Sequence, residues 1–283
     1  MRDHGREVDV LKFLRDAFSP DPHANLKKVV GNTPIPTFPA SIRRVQDALR
    51  DPEVSMRAVG DRIAADPALS IDVLKLANSA AYGLRRPVSD PAHAARLLGR
   101  SEVEALVLGI AVRNALPTQV AGFDASGFWR TAARRAALAS GLAQRVQPKV
   151  ARTVFTAGLL SDLAVPLLVQ ANPQGYRSVL STGDAALFQR EQDTLGWDHA
   201  MVAGWLCDTW QFPATLRNAI QNHHGSLAPA PLVVATALDE GDDADVEPLV
   251  EGARRRLGML PEAALEVLAE ADQRAVQVAQ LFV

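Results

Sequence analysis

Apolar side chains recur at steps of three and four along most of this chain, the spacing that lines one face of an α-helix. Val8, Leu11, Leu14 and Phe18 form a short amphipathic pattern that ends at Ser-Pro-Asp-Pro, 19–22. Gly31 to Pro39 holds three prolines within six residues, which neither a helix interior nor a central strand accepts, and predicts a loop. Beyond it, Ile42, Val45 and Leu49 mark one helix, and Ser55 is placed to cap a second carrying Met56, Val59 and Ile63. Asp66-Pro67 and Asp90-Pro91 each put a capping acid before a proline at the first helical position, where its missing N–H costs nothing. Ser101 with Glu104 reads as a capping box ahead of Val103, Leu106, Val107 and Ile110. About five helices therefore fit between residues 39 and 116.

Pro117 to Gly127 is rich in small and breaking residues and predicts the boundary between two helical layers. The pattern then predicts helices over Phe128 to Val146, Val150 to Gln170, from Asn172-Pro173 onward, and over Asp184 to Leu195 with Gly196 as its stop. Asp198 caps a segment carrying Val202, Trp205, Leu206 and Thr209, and Pro213 opens a helix expected to reach His223-His224-Gly225. Leu232 to Leu238 is apolar and helical, Asp239 to Asp243 is an acidic loop, and two amphipathic helices finish the chain. Runs of alternating β-branched and aromatic residues are nearly absent, so no strand is expected.

Composition agrees with close-packed helices: 48% of the 283 residues are apolar but only 5% are aromatic, so Ala, Leu and Val must build the core. A net charge of -2 argues against a general nucleic-acid binder. The basic pairs Arg43-Arg44 and Arg134-Arg135 and the run Arg254-Arg255-Arg256 are short and scattered, as solvated helix faces are. Cys207 stands alone, which excludes an internal disulfide and a Cys-rich zinc site, and its apolar flanks give it the role of a small buried residue. Trp197, Trp205 and Trp210 lie close together, as a packed helix pair would need. No early apolar stretch has signal-peptide form, and the apolar run Ala157 to Leu168 is broken by Asp162 and Pro166. A cytoplasmic protein with no membrane and no nucleic-acid partner is expected.

Three stretches together resemble the HDOD family, a regulatory relative of the HD and HD-GYP metal-dependent phosphohydrolases. The first is Pro34 to Ala40, similar to that family's opening proline-rich turn. The second is Ala64 to Leu98, with Asp66-Pro67-Ala68-Leu69, Leu76-Ala77-Asn78-Ser79 and Tyr82-Gly83. The third runs from Phe128-Trp129 through Ala157 to Asp162 and Asp198-His199-Ala200 to Trp210 and His223-His224. The resemblance implies an all-α fold, a multi-helix HD-like bundle with an N-terminal helical HDOD subdomain. It places an N-terminal helix or linker at 1–24 and the HDOD domain at 25–240. Within that domain, 25–117 and 127–240 form two layers, and 241–283 supplies C-terminal helices that pack on them.

Catalytic HD enzymes hold divalent ions with a His, a His-Asp pair and a distant Asp; the ions lower the pKa of a water and generate a nucleophile near neutral pH. The resemblance puts Thr131 at the first ligand position and Ser161-Asp162 at the His-Asp pair. The final Asp belongs within Leu232 to Leu238, where the chain reads Val234-Ala235-Thr236-Ala237, and Asp239 comes late. His199 and His223-His224 resemble further histidines of the HD-GYP branch, but Gly225-Ser226-Leu227 replaces its Gly-Tyr-Pro. Asp162, His199, His223 and His224 are therefore the candidate residual metal or ligand site, and no cofactor is expected beyond a residual divalent metal. The plain structural roles are a carboxylate bonded to a neighbour for Asp162, a helix start for His199, and donors at a helix C-terminus for His223 and His224. No base adjoins Ser161 in sequence, so a nucleophilic role for it is not expected.

Asn78, Tyr82, Arg85 and Arg86 form a polar turn that is either a structural clamp or a surface for a partner or ligand. The leading functional expectation is a non-catalytic signal-transduction module acting through protein–protein contacts on a degenerate HD scaffold, with a protein partner in a signalling pathway. Two alternatives stand beside it. One is a divergent metal-dependent phosphohydrolase or phosphodiesterase. The other is a sensor whose former active-site cleft holds a nucleotide or small anion with Arg130, Arg134 and the histidines.

Overall fold

The computed structural model describes residues 21–79, 84, 86–117, 120–181, 187–225, 227–236 and 246–280. The amphipathic pattern before residue 20, together with Tyr82, Arg85 and Asp239, lies outside them. The described residues form sixteen α-helices and no strand. In chain order these are α1 (Pro22–Val30), α2 (Ala40–Arg50), α3 (Met56–Ala64), α4 (Pro67–Ala77), α5 (Pro91–Leu98) and α6 (Arg100–Ala115). Then come α7 (Ala125–Val146), α8 (Ala151–Leu160), α9 (Val165–Ala171), α10 (Pro173–Ser181), α11 (Leu187–Leu195) and α12 (His199–Thr209). The last four are α13 (Ala214–Gln221), α14 (Ala230–Thr236), α15 (Glu247–Gly252), extended by a π turn, and α16 (Pro261–Ala279).

Most starts follow the capping chemistry read from the chain. Ser55 accepts from the Ala58 N–H at 3.2 Å, Asp66 from those of Ala68 and Leu69, and Asp90 from those of Ala92 and His93. Several boundaries differ, among them these three. Asp21-Pro22 does not merely end an earlier segment: Asp21 accepts from the His23 N–H at 2.9 Å and opens α1, which packs on α12. Ser101 lies inside α6 and caps nothing, because the helix starts one residue earlier at Arg100. The Arg100 guanidinium reaches the carbonyls of Ala48, Leu49, Asp51 and Val54 at 2.5 to 3.2 Å, closing the end of α2 and fixing where α6 begins. The long apolar helix expected from 150 to 170 is two, α8 and α9, split by a turn at 161–164 where Pro166 cannot continue the backbone ladder.

Helices α2 to α6 form the N-terminal layer. There α3 and α5 touch at Gly60, where an added Cβ would stand 2.3 Å from the Ala92 Cα. The second layer centres on α7, packed by α8, α14 and α16. One apolar core runs from Leu26 on α1 to Ala279 on α16. The segment Pro148–Ala171 is long and apolar enough to cross a membrane, but 83% of its most apolar window is buried in this core. Cys207 is buried and unpaired by disulfide, and burial pushes its thiol up.

Candidate functional site

The split between α8 and α9 decides where Asp162 goes. It sits in the turn, its carbonyl accepting from the Val165 N–H at 2.8 Å, so its side chain leaves the helix face and enters the cleft beside α7. Thr131 and Arg135, one turn apart on α7, line the same cleft. His199 is the first residue of α12, oriented by Asp198, which accepts from the Met201 N–H at 2.7 Å. His223 and His224 were expected inside a helix, but α13 stops at Gln221. Beyond that end the two rings are free of helical geometry and both turn into the cleft. Stacking on Phe188, with ring centroids 4.4 Å apart, holds His224 in place.

The four candidate residues converge. His199 Nε2 lies 3.2 Å from Asp162 Oδ1, 3.3 Å from His223 Nε2 and 3.0 Å from His224 Nε2. His223 Nε2 is 3.4 Å from the same Asp162 oxygen. The far side of each of two rings is fixed. His199 Nδ1 donates to Glu191 Oε2 at 2.6 Å, and the His199 backbone N–H donates to that oxygen at 2.8 Å. His223 Nδ1 donates to the Ile220 carbonyl at 2.7 Å, so the partner assigns its proton to Nδ1 and leaves Nε2 a lone pair. Tyr176 O–H donates to the other Glu191 oxygen.

Arg135 completes the set. It is 3% exposed and donates to Asp162 Oδ2 at 2.5 Å and to the Gly158 carbonyl at 3.3 Å. Burial alone would raise Asp162, but the Arg135 charge and hydrogen bonds from His199 and His223 override it and hold the carboxyl well below its usual range. Burial likewise disfavours charge on His199, yet its hydrogen bonds to Asp162 and Glu191 outweigh that and push it up to about 10. His223 goes the other way: burial, with unfavourable electrostatics from its neighbours, depresses it to about 4 against the hydrogen bond to Asp162.

This arrangement is rich in acceptors. One proton on His199 Nε2 faces an Asp162 oxygen and the nitrogens of His223 and His224. Ligands about 2.0–2.1 Å from a tetrahedral zinc lie about 3.3 Å from one another, close to the 3.0 to 3.4 Å observed. The donor set therefore fits one divalent cation, which would polarise a bound water or anion there. It does not fit two. The second Asp162 oxygen, which a bridging carboxylate would need, holds a guanidinium instead. Ser161 is fully buried, and its Oγ donates back to the Ala157 carbonyl at 2.8 Å, away from any base. Thr236, in the stretch where a final Asp would fall, donates to the Val233 carbonyl at 2.8 Å.

Other expectations need correction. Arg134 and Arg130 do not enter this cleft: Arg134 pairs with Asp272 at 2.7 Å, and Arg130 reaches Ser126 and Asp124. Arg135, read as part of a solvated basic cluster, is the cation that faces the site, one residue around the helix. In the polar turn, the Asn78 amide is engaged in both directions with Val88 at 2.8 Å, the structural clamp. Arg86 is exposed. Glu191, Tyr176 and Arg135 were not singled out, because no local pattern marks a helix-borne Glu, Tyr or Arg as inward-facing.

An all-helical domain with one carboxylate and three histidines gathered in a cleft is the class that fold and site define. A family model for the HDOD domain matches residues 35–226, and the chain belongs to that family. Among solved structures, a candidate phosphohydrolase from Shewanella amazonensis SB2B superimposes with a TM-score of 0.72 at 24% identity, covering 94% of this chain and 99% of that one. An HDOD domain protein of unknown function from Geobacter sulfurreducens gives 0.66 at 22% identity, covering 92% and 95%. A candidate signal transduction protein from Marinobacter aquaeolei VT8 gives 0.67 at 21% identity, covering 99% of this chain and 66% of that one. At these identities they establish the fold. An uncharacterized protein of Treponema pallidum (strain Nichols) is 27% identical over 195 residues, which are 67% of this chain and 37% of that protein's length.

Proposed function

We propose that the chain is a non-catalytic regulatory module that signals through protein–protein contacts, on an HD framework whose hydrolytic centre is degenerate. One observation carries this reading: the Arg135 guanidinium sits on the Asp162 carboxylate, a fixed cation where a hydrolase would place an ion of its metal pair. Thr131 and Ser161 at the expected His positions support it, since neither side chain supplies an imidazole. The likeness to a candidate signal transduction protein agrees with it at the level of fold.

The convergence of the histidine nitrogens favours a second reading of the same cleft, in which His199, His223 and His224 hold a single divalent cation as a structural or sensing element. One preparation tests both. The purified chain is assayed for hydrolysis of bis-p-nitrophenyl phosphate and cyclic dinucleotides with Mn2+, Fe2+ or Zn2+ added, and its metal content is measured. No turnover above the protein-free blank is expected, whether or not metal is bound. Turnover that disappears in Asp162→Ala would overturn the regulatory reading. The single-cation reading predicts about one equivalent of metal, lost in His223→Ala; a metal-free wild type after Zn2+ loading and desalting removes it.

A further inference from the structure

Glu191 on α11 is fully buried, although the residues on either side of it, Arg190 and Gln192, are polar. Its two oxygens take three hydrogen bonds from two other helices. Oε1 accepts from the Tyr176 O–H on α10. Oε2 accepts from the His199 backbone N–H at 2.8 Å and from the His199 ring Nδ1 at 2.6 Å. The next residue, Gln192, donates to Asp198 Oδ2 at 2.6 Å, so α11 grips two consecutive residues at the start of α12.

Starting a helix needs only some of these bonds. The free backbone N–H groups of α12 require acceptors, and Asp198 and Glu191 supply them. The bond to the His199 ring does something further. It keeps a proton on Nδ1, so Nε2 is the nitrogen that faces Asp162, His223 and His224, and a cation there would take the place of the Nε2 proton. Turning the ring would break the 2.6 Å bond, so the carboxylate sets the ring plane as well as the tautomer. Tyr176 fixes the carboxylate in its turn. His223 is held by the Ile220 carbonyl, a backbone group that no substitution removes; His199 is held by a side chain.

We infer that Glu191, anchored by Tyr176, is a positioning residue for a cation held by His199, His223 and His224, aiming the His199 Nε2 lone pair at the ion. The inference rests on the single-cation reading of the cleft. A carboxylate on the far nitrogen of a ligating imidazole also makes that ligand more basic, and its loss typically costs about 10–100-fold in metal affinity.

Calorimetric titration of the metal-free full chain with Zn2+, together with histidine 15N NMR of the loaded protein, tests it. The wild type is expected to take up about one equivalent, with the proton of His199 on Nδ1. Glu191→Gln, which keeps the shape and removes the charge, should bind Zn2+ about 10–100-fold more weakly. Tyr176→Phe removes a single hydroxyl and should weaken binding in the same direction by less, which provides a second arm should Glu191→Gln fold poorly. The His199 Nδ1–H signal should move in both variants. Gly60→Ala, in the N-terminal layer, should leave the affinity unchanged. Both site variants binding as tightly as the wild type, or weakened binding with an unmoved His199 signal, overturns the positioning role and leaves the cation reading in place. An equal loss of affinity in Gly60→Ala would trace the effect to lowered stability and overturn it as well. A wild type that takes up no Zn2+ removes the cation reading and this inference with it.

Discussion

At the scale of residues, the site is a set of opposed titrations. His199 rises from an ordinary 6.5 to about 10, so the folded chain holds its proton more tightly than the unfolded chain does. Its stabilising contribution is complete below about pH 6.5 and is lost as pH climbs toward 10. His223 falls from 6.5 to about 4, so the unfolded chain binds the extra proton first, and stability declines as pH drops through that window. Urea unfolding of the metal-free protein across pH 4–10 should therefore fall off on both sides of neutrality. His199→Gln should flatten the alkaline limb and His223→Gln the acid limb down to about pH 4, below which Asp162 and other carboxylates dominate. An alkaline limb that is unchanged in His199→Gln would show that the ring is not the charged partner of Asp162 and Glu191. The sequence supplied His199, His223, His224 and Asp162 as types, but not Arg135 or Glu191. An Arg on an Ala-rich helix and a Glu among polar residues look solvated until neighbouring helices cover them.

At the scale of elements, close approach is bought by small residues. Gly60 lets α3 lie against the start of α5, with an added Cβ 2.3 Å from the Ala92 Cα, 2.8 Å from its nitrogen and 2.9 Å from the Pro91 carbonyl. All three neighbours are backbone, so they cannot swing away as a side chain would. Gly60→Ala should destabilise the chain by at least about 1–3 kcal/mol, the usual cost of overpacking, although Ala is the better helix former. A melting temperature equal to or above that of the wild type would show that α3 and α5 can separate freely. Helix starts were legible at Ser55, Asp66, Asp90 and Asp198, each of which caps its own helix, but not at Asp21 and Asp124, whose caps lie in stretches that read as breaks. They were misplaced where a distant group decides. Arg100 fixes the start of α6 by binding the end of α2, a contact across about fifty residues that no local pattern reveals.

At the scale of the whole molecule, the family match ends at residue 226 but the apolar core does not. Helix α16 buries Ala264, Val267, Leu268, Ala271 and Val278, and its Val267 packs against α7 so closely that a Cβ on Gly141 would meet it at 2.8 Å. Removing the chain beyond Gly258 uncovers the buried face of α7, which also carries Arg135. Such a truncation should lower the melting temperature by several degrees or abolish the cooperative transition, while the full chain unfolds in one step by calorimetry. Two separate transitions in the full chain would mean that the layers do not share a core.

Local physics determined much of this protein directly from its sequence. Period, capping residues and prolines act over a few neighbours, so the all-helical class and most helix boundaries are written in the chain itself. Tertiary structure alone decided the rest, because burial and pairing depend on residues far apart in sequence. It broke the long apolar helix to turn Asp162 inward and ended α13 early to release two histidines. It also set Arg135 rather than Arg134 on the carboxylate.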